Sequence, residues 1–132
     1  MTRMMLIINP RSGKGLALKE QDTAERIARE LGISLDVRTI ERAGHGKELA
    51  AEAVSAGLER VICAGGDGTL NSIAAGLINT KVPVGVVALG SGNGYARSLG
   101  LPLKPEAALR RAFTGTPAQM DVCFLNDIPF LG

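Results

Sequence analysis

The sequence predicts an α/β fold, in which a parallel sheet is covered by helices on both faces. Short runs of continuous apolar residues, such as Met4–Ile8 and Val61–Ala64, alternate along the chain with longer stretches whose apolar residues recur at helical spacing. Continuous apolarity is expected of strands buried on both faces, and regular alternation of strand and helix is typical of parallel sheets. Glycine-rich segments directly follow three of the apolar runs, at residues 9–15, 65–69 and 90–94.

The composition is that of a folded domain and narrows the classes of function. The chain has 132 residues, of which 45% are hydrophobic, so it can form a core and is not disordered. Aromatic residues make up only 3% and the net charge is +2, which argues against a nucleic-acid partner. Cys63 and Cys123 lie within apolar runs and are interpreted as buried thiols of a reducing compartment. No run approaches the roughly 20 apolar residues of a membrane-spanning helix, so we expect a cytoplasmic protein.

The first half of the chain predicts two strand–helix units. Met4–Ile8 is the first strand, and the helix that follows, from Leu16 to Leu31, ends at Gly32 in a C-cap position. The apolar stripe of this helix has members at i, i+3, i+4 and i+7, namely Ala24, Ile27, Ala28 and Leu31. Ile33–Ile40 alternates in part and predicts the second strand, and the alanine-rich stretch Lys47–Leu58 predicts the second helix.

The second half continues the alternation and ends on a hairpin. The predicted elements are, in order, a strand at 61–64, a helix at 69–78, a strand at 82–89, a short helix at 95–99 and a helix at 105–113. Pro105 suits the first turn of the last helix, and Gly115 stops it. Residues 120–125 alternate, and Asn126-Asp127 then predicts a turn into a returning strand at 128–130.

The turn Gly65-Gly66-Asp67-Gly68-Thr69 joins a predicted strand to a predicted helix. This arrangement points backbone N–H groups and the positive end of a helix dipole at an anion such as phosphate. Glycines let the backbone approach the anion closely, and we expect a positive φ at Gly66. Asp67 would repel a bare phosphate, so its presence indicates a Mg²⁺ ion or a proton-accepting role. The structural alternative is that Asp67 merely caps the following helix.

The three glycine-rich segments are predicted to meet, because ligands bind at the carboxyl ends of parallel strands, where the topology switches. Two common nucleotide signatures are absent from the sequence. Gly13-Lys14 is followed by Gly15 rather than by Ser or Thr, so the first segment is not a Walker A loop. The glycines at 90, 92 and 94 do not have the spacing of a dinucleotide fingerprint.

Three motifs follow one another along the chain: Asn9-Pro10-x-Ser12-Gly13-x-Gly15, Gly65-Gly66-Asp67-Gly68-Thr69-x-Asn71 and Gly90-Ser91-Gly92-Asn93. Together they resemble the catalytic domain of the diacylglycerol kinase and sphingosine kinase superfamily, and its bacterial lipid kinases in particular. The resemblance implies a Rossmann-like three-layer fold of the type found in the N-terminal domains of phosphofructokinases and NAD kinases. It also implies ATP-dependent phosphorylation of a hydroxyl of diacylglycerol or of a sphingoid-type lipid.

The resemblance also implies roles for individual residues. Asp67 would be catalytic, either accepting the proton of the substrate hydroxyl or holding Mg²⁺ through water. Thr69 and Ser91 would give hydroxyl hydrogen bonds to the nucleotide, and Asn9 and Ser12 would lie beside its base or ribose. The residues implied in binding ATP are Asn9, Ser12, Thr39, Gly65, Gly66, Asp67, Gly68, Thr69, Leu70, Asn71, Ser91, Gly92 and Asn93.

Family members continue into a β-rich domain that supplies much of the lipid site. We therefore interpret residues 1–118 as the nucleotide-binding domain and 119–132 as the start of the second, truncated domain. Such a chain would bind ATP and Mg²⁺, would not phosphorylate lipid by itself, and could form a homodimer through its exposed last segment. The whole protein would act on lipid as a cytoplasmic protein at the membrane surface. An NAD kinase and a non-catalytic nucleotide-binding regulatory module remain the alternatives.

Overall fold

The computed structural model describes residues 2–11, 20–88, 105–115, 122–125 and 128–131, and it describes the backbone alone for Asp67, Ala88, Pro105 and the segments 122–125 and 128–131. Its centre is a four-stranded parallel sheet in the order β2-β1-β3-β4. The strands are β1 (Thr2–Ile8), β2 (Ile33–Thr39), β3 (Arg60–Gly65) and β4 (Val84–Ala88). The helices are α1 (Gln21–Glu30), α2 (His45–Ser55), α3 (Asp67–Leu77) and α4 (Pro105–Thr114). The predicted α/β class and its parallel sheet are confirmed.

The helices form two layers, one on each face of the sheet. Alternate residues of β1 point to opposite faces, so Leu6 packs with α1 and α4 while Ile7 packs with α2 and α3. β1 and β3 are the inner strands of the sheet, and all five residues from Met4 to Ile8 are buried. This double burial explains the continuous apolar runs from which the strands were predicted.

The strand order places a topological switch between β1 and β3. From β1 the chain moves to β2 on one side, and it then returns to add β3 and β4 on the other. The two connections that leave the carboxyl ends of β1 and β3 therefore diverge to opposite faces of the sheet. In open α/β sheets a ligand crevice forms at this position.

The first helix departs from its predicted apolar stripe at one residue. Ala24, Ile27 and Ala28 are buried as expected, but Leu31 is 40% exposed. Leu31 is the C-cap, one residue beyond the end of the helix, and its N–H still donates to the Ile27 carbonyl. Gly32 follows with φ +71°, which confirms the predicted helix end at a glycine. The part of the predicted helix from 16 to 19 lies outside the described residues.

An ion-pair network on the surface joins α1 to α4. Arg26 and Arg110 each bridge the carboxylates of Glu30 and Glu106, at N–O distances between 2.9 and 3.4 Å. Hydrogen bonds, from Arg110 first and from Arg26 second, hold the pKa of Glu30 below its ordinary value. The same two arginines, with Arg26 first, lower the pKa of Glu106.

The last described elements are an antiparallel hairpin, β5 (Val122–Leu125) and β6 (Ile128–Leu131), which forms its own two-stranded sheet. The predicted pairing of these two segments is confirmed, whereas the turn residues Asn126-Asp127 lie outside the described residues. β6 passes beside α3. The predicted domain boundary at 118 stays a prediction. None of the helices in the described ranges is both long and apolar enough to cross a bilayer.

Candidate functional site

Three of the predicted site segments meet at the carboxyl edge of the sheet. Thr39 is the last residue of β2 and pairs with Ile8, the last residue of β1. Ile8 also pairs with Ala64 in β3, and the N–H of Asn9 donates to the Ala64 carbonyl at 3.0 Å. The half-buried Asn9 therefore lies between the ends of β2 and β3. This is the edge, and the switch point, at which the sequence predicted a ligand site.

A side-chain hydrogen bond joins the first glycine-rich segment to the second. Asn9 Nδ2 donates to Thr69 Oγ1 at 2.9 Å, and the N–H of Arg11 donates to Asn9 Oδ1 at 3.0 Å. Both ends of the Asn9 amide are thus bonded within the protein. Thr69 lies in the first turn of α3 and is 7% exposed. The bond spans 60 positions in the chain, so it holds together two segments that have no local reason to stay in register.

Gly65 is required by the close approach of Thr69. A Cβ added at Gly65 would lie 2.9 Å from Thr69 Oγ1 and 3.0 Å from Thr69 Cβ. Rotation of the Thr69 side chain would break its bond to Asn9 and would leave its Cβ in the contact, so the backbone would have to shift. The glycine at the end of β3 therefore serves packing inside the turn.

The amino end of α3 is preceded by a glycine. Gly66 is the N-cap and makes no side-chain cap to the helix. Helix α3 begins at Asp67 rather than at the predicted Thr69, so Asp67 is the first helical residue and not the N-cap. Gly68 is exposed, and a Cβ added there would meet nothing within 4 Å. Backbone N–H groups in the first turn of a helix have no intrahelical partner, so this end can bind an anion.

The expected positive φ at Gly66 is wrong. Its backbone is extended, with φ −98° and ψ −169°, because the chain continues in a strand-like conformation until the helix starts. Among the described glycines, the positive φ values are at Gly32, Gly44 and Gly57, which flank helices α1 and α2. Any need for glycine at position 66 must therefore come from the space around it rather than from its φ.

The last two residues of the second motif differ in their surroundings. The side chain of Leu70 is 2% exposed and packs in the core between the sheet and helices α2 and α3. Its N–H donates to the Gly66 carbonyl at 3.0 Å, which is the first hydrogen bond of the helix. Asn71 is half-buried. Leu70 can therefore reach a ligand neither through its side chain nor through its N–H.

Sequence reasoning missed the residues that hold α2 against α3. Ser72 Oγ accepts the N–H of Lys47 at 3.2 Å, and thus satisfies a first-turn donor of α2 from the neighbouring helix. A Cβ added at Gly76 would lie 2.4 Å from the Lys47 carbonyl oxygen and 2.8 Å from Ala50 Cβ. A Cβ added at Gly46 would lie 3.0 Å from Ser72 Oγ. An isolated glycine inside a helical pattern, such as Gly76, is the signal that could have indicated this close contact.

The remaining predicted site residues cannot be placed. Ser12, Ser91, Gly92 and Asn93 lie outside the described residues, as does the side chain of Asp67. Within the described part of the chain, no three His, Cys, Asp or Glu side chains come together as a potential metal cluster.

Comparison with known proteins gives concordant matches. The family model described as the diacylglycerol kinase catalytic domain matches residues 3–125. A protein of Chromohalobacter salexigens named "Probable lipid kinase YegS-like" is 43% identical over 130 residues, which is 96% of this chain and 41% of that protein. A protein of the same name from Klebsiella pneumoniae is 34% identical over 125 residues, covering 93% of this chain and 41% of its own length.

The fold is also found in solved structures. The crystal structure of a diacylglycerol kinase from Bacillus anthracis str. Sterne superposes with a TM-score of 0.81 at 23% identity. The match covers 97% of this chain and 45% of that chain. This chain therefore spans less than half the length of the relatives and of the solved structure that it matches.

Proposed function

The chain belongs to the diacylglycerol kinase catalytic domain family, and on that premise we propose that it is the nucleotide-binding half of an ATP-dependent lipid kinase. One observation carries the proposal. The segment after β1 and the glycine turn after β3 are joined at the topological switch point, beside the amino end of α3. Phosphoryl transfer relies mainly on positioning and on neutralising phosphate charge, and this arrangement is suited to both.

The phosphates of ATP would be bound by backbone N–H groups at the start of α3. Gly66 and Gly68 contribute no side-chain atoms to this end, and the exposed position of Gly68 offers space for an anion. The positive end of the helix dipole adds a favourable electrostatic interaction with a negative group. Thr39, at the end of β2, lies on the other side of Asn9 and would contribute to the part of the site farther from the phosphates.

Asp67 is the proposed catalytic residue, as a proton acceptor for the substrate hydroxyl or as a water-mediated partner of Mg²⁺. Proteins usually bind Mg²⁺ through one or two carboxylates together with substrate phosphates, so one carboxylate at this position fits the ion's needs. The ion, when bound, would neutralise phosphate charge. Ser12, Ser91, Gly92 and Asn93 belong to the proposed site by their motif alone.

The proposed acceptor is a hydroxyl of diacylglycerol or of a sphingoid-type lipid. The relatives named as lipid kinases support a lipid acceptor in general, and the name of the B. anthracis structure refers to diacylglycerol. A lipid acceptor would require the protein to work at a membrane surface. The remaining parts of the lipid site are proposed to lie in the second domain, beyond residue 118.

A transfer assay on the full-length protein tests this function. The protein is incubated with Mg²⁺, ATP labelled at the γ-phosphate, and vesicles containing either diacylglycerol or sphingosine. Label in the extracted lipid supports the proposal. Label in NAD, supplied in a parallel reaction, would identify an NAD kinase instead, and nucleotide binding without label in any acceptor would favour a regulatory module.

The chain of 132 residues is tested alongside the full-length protein. We expect it to bind ATP and Mg²⁺ weakly but to transfer no phosphate, because the acceptor hydroxyl is not held in line without the second domain. Light scattering measures whether the chain also forms dimers through its last segment. Lipid phosphorylation by the monomeric chain would contradict the division of the site between two domains.

A further inference from the structure

We propose that Asn9 and Thr69 are positioning residues, which fix the segment after β1 relative to the amino end of α3. They would act on the nucleotide through the backbone that they hold in place, and not through their own side-chain contacts with base, ribose or phosphate. This inference rests on the proposed nucleotide-binding function and assigns these two residues a role different from the one that the family motifs imply.

The hydrogen bonding of Asn9 supports a positioning role. Its Nδ2 donates to Thr69 Oγ1, its Oδ1 accepts from the N–H of Arg11, and its own N–H donates to Ala64. These three bonds connect the residue to β3, to α3 and to its own turn. A side-chain amide bonded at both ends has a fixed orientation, and swinging it toward a ligand would break bonds that the folded protein already makes.

The packing of Thr69 supports the same conclusion. The residue is 7% exposed, and its side chain lies against the position that a Cβ of Gly65 would occupy. Because Thr69 is in the first turn of α3, its bond to Asn9 sets where the N–H groups of that turn point relative to the end of β1. Binding geometry of this kind must be held to roughly half an ångström, which requires supporting residues of this type.

A ligand without base or ribose separates the two roles. Inorganic tripolyphosphate with Mg²⁺ can occupy a phosphate site but offers nothing to a residue that contacts the base or ribose. If Asn9 positions the phosphate site, its loss weakens the binding of ATP and of tripolyphosphate by the same factor. If Asn9 contacts the base or ribose, its loss weakens the binding of ATP alone.

The experiment measures the affinities of the full-length protein for both ligands, with Mg²⁺, by titration calorimetry. Asn9→Ala and Thr69→Val each remove one partner of the bond. We expect each to lower the affinity for both ligands about tenfold, because each leaves a polar group without its partner. The double variant should be no weaker than either single variant, because both changes remove the same interaction. Thr69→Ser keeps the hydroxyl and should recover most of the affinity that Thr69→Val loses.

Thr80→Val is the matched control. The Thr80 hydroxyl donates to the Leu77 carbonyl at 2.7 Å at the far end of the same helix. Its loss should lower the melting temperature without changing either affinity, which separates stability from positioning. Melting temperatures also show that each variant is folded, and if Asn9→Ala does not fold, Thr69→Val and Thr69→Ser decide the question by the same criteria.

Each contrary result has a distinct meaning. A wild-type protein that binds neither ligand overturns the proposed function and this inference with it. A wild-type protein that binds both ligands, together with an Asn9→Ala variant weakened for ATP alone, leaves the function standing and overturns the positioning role. Single-variant effects that multiply in the double variant also overturn it, because they would mean two independent contacts with the nucleotide.

Discussion

The same substitution at the two ends of α3 should have opposite effects on stability. Alanine in place of glycine normally favours a helix, by about 1 kcal/mol in the interior. At Gly76 the new Cβ would lie 2.4 Å from the backbone carbonyl oxygen of Lys47, and a backbone atom of α2 cannot move aside alone. At Gly68 the new Cβ would meet nothing within 4 Å.

The magnitudes follow from these surroundings. Forcing a methyl group into a well-packed contact costs about 1–3 kcal/mol, and the short distance at Gly76 favours the upper end. After subtraction of the helix-propensity gain, Gly76→Ala should lower the free energy of unfolding by about 2 kcal/mol. Gly68→Ala should be neutral or should raise the free energy of unfolding by up to about 1 kcal/mol. The two variants should therefore differ in melting temperature by roughly 10 °C.

Urea denaturation of the two variants and the wild type measures the free energies, and calorimetry measures the affinity for ATP with Mg²⁺. Gly68→Ala should bind ATP more weakly despite its stability, because the open space at its Cβ is where the phosphates are proposed to lie. A Gly76→Ala variant as stable as the wild type would refute the close contact between α2 and α3. Unchanged ATP affinity in Gly68→Ala would refute the proposed phosphate position.

Two further predictions concern chemistry and pH. Asp67→Asn in the full-length protein should lower kcat by about a hundredfold or more, which is the effect expected on losing a positioned acid–base group. The melting temperature should stay unchanged. Near-normal turnover in the lipid assay would remove Asp67 from both proposed roles. The lowered pKa values of Glu30 and Glu106 mean that their ion pairs contribute stability above the unfolded-state pKa, and that this contribution is lost as the pH falls through the folded-state values. We expect a small loss of stability in acid, and this loss should be smaller at high salt and in the Glu106→Gln variant. A urea midpoint that depends on pH in the same way in Glu106→Gln and in the wild type would contradict the reasoning.

Much of the candidate site could be predicted because its determinants are local. Glycines that directly follow an apolar run must lie at the carboxyl end of a strand, and in a parallel sheet those ends share one edge. Asn9 and the turn at 65–69 were predicted at this edge from their positions along the chain, whereas Thr39 was implied by the family resemblance. In the structure, Asn9, Thr39 and Thr69 lie at this edge. The family motifs added the proposed chemistry, since nothing local to the apolar pattern distinguishes a lipid kinase from another phosphate-binding protein.

Residue type and periodicity were less reliable predictors where the backbone conformation depends on the neighbouring elements of the fold. The extended backbone of Gly66 and the start of α3 at Asp67 are set by how β3 leaves the sheet, whereas glycine alone permits either sign of φ. Leu31 continues the apolar stripe in sequence, but it lies at the C-cap of the helix and is exposed. Periodicity describes a helix that continues and does not by itself fix its last turn.

The residue pattern was enough to predict the alternation of strands and helices, the burial of strands on both faces and the edge at which the loops would meet. These follow from side-chain periodicity and from glycine chemistry, which act over a few neighbouring residues. Three features were visible only in the folded chain: the order β2-β1-β3-β4, the bond between Asn9 and Thr69, and the close contact of α2 with α3 at Gly76. Each of these joins residues that are far apart in the chain, and such pairs are selected by the packing of the whole domain, for which no short stretch of sequence carries the information.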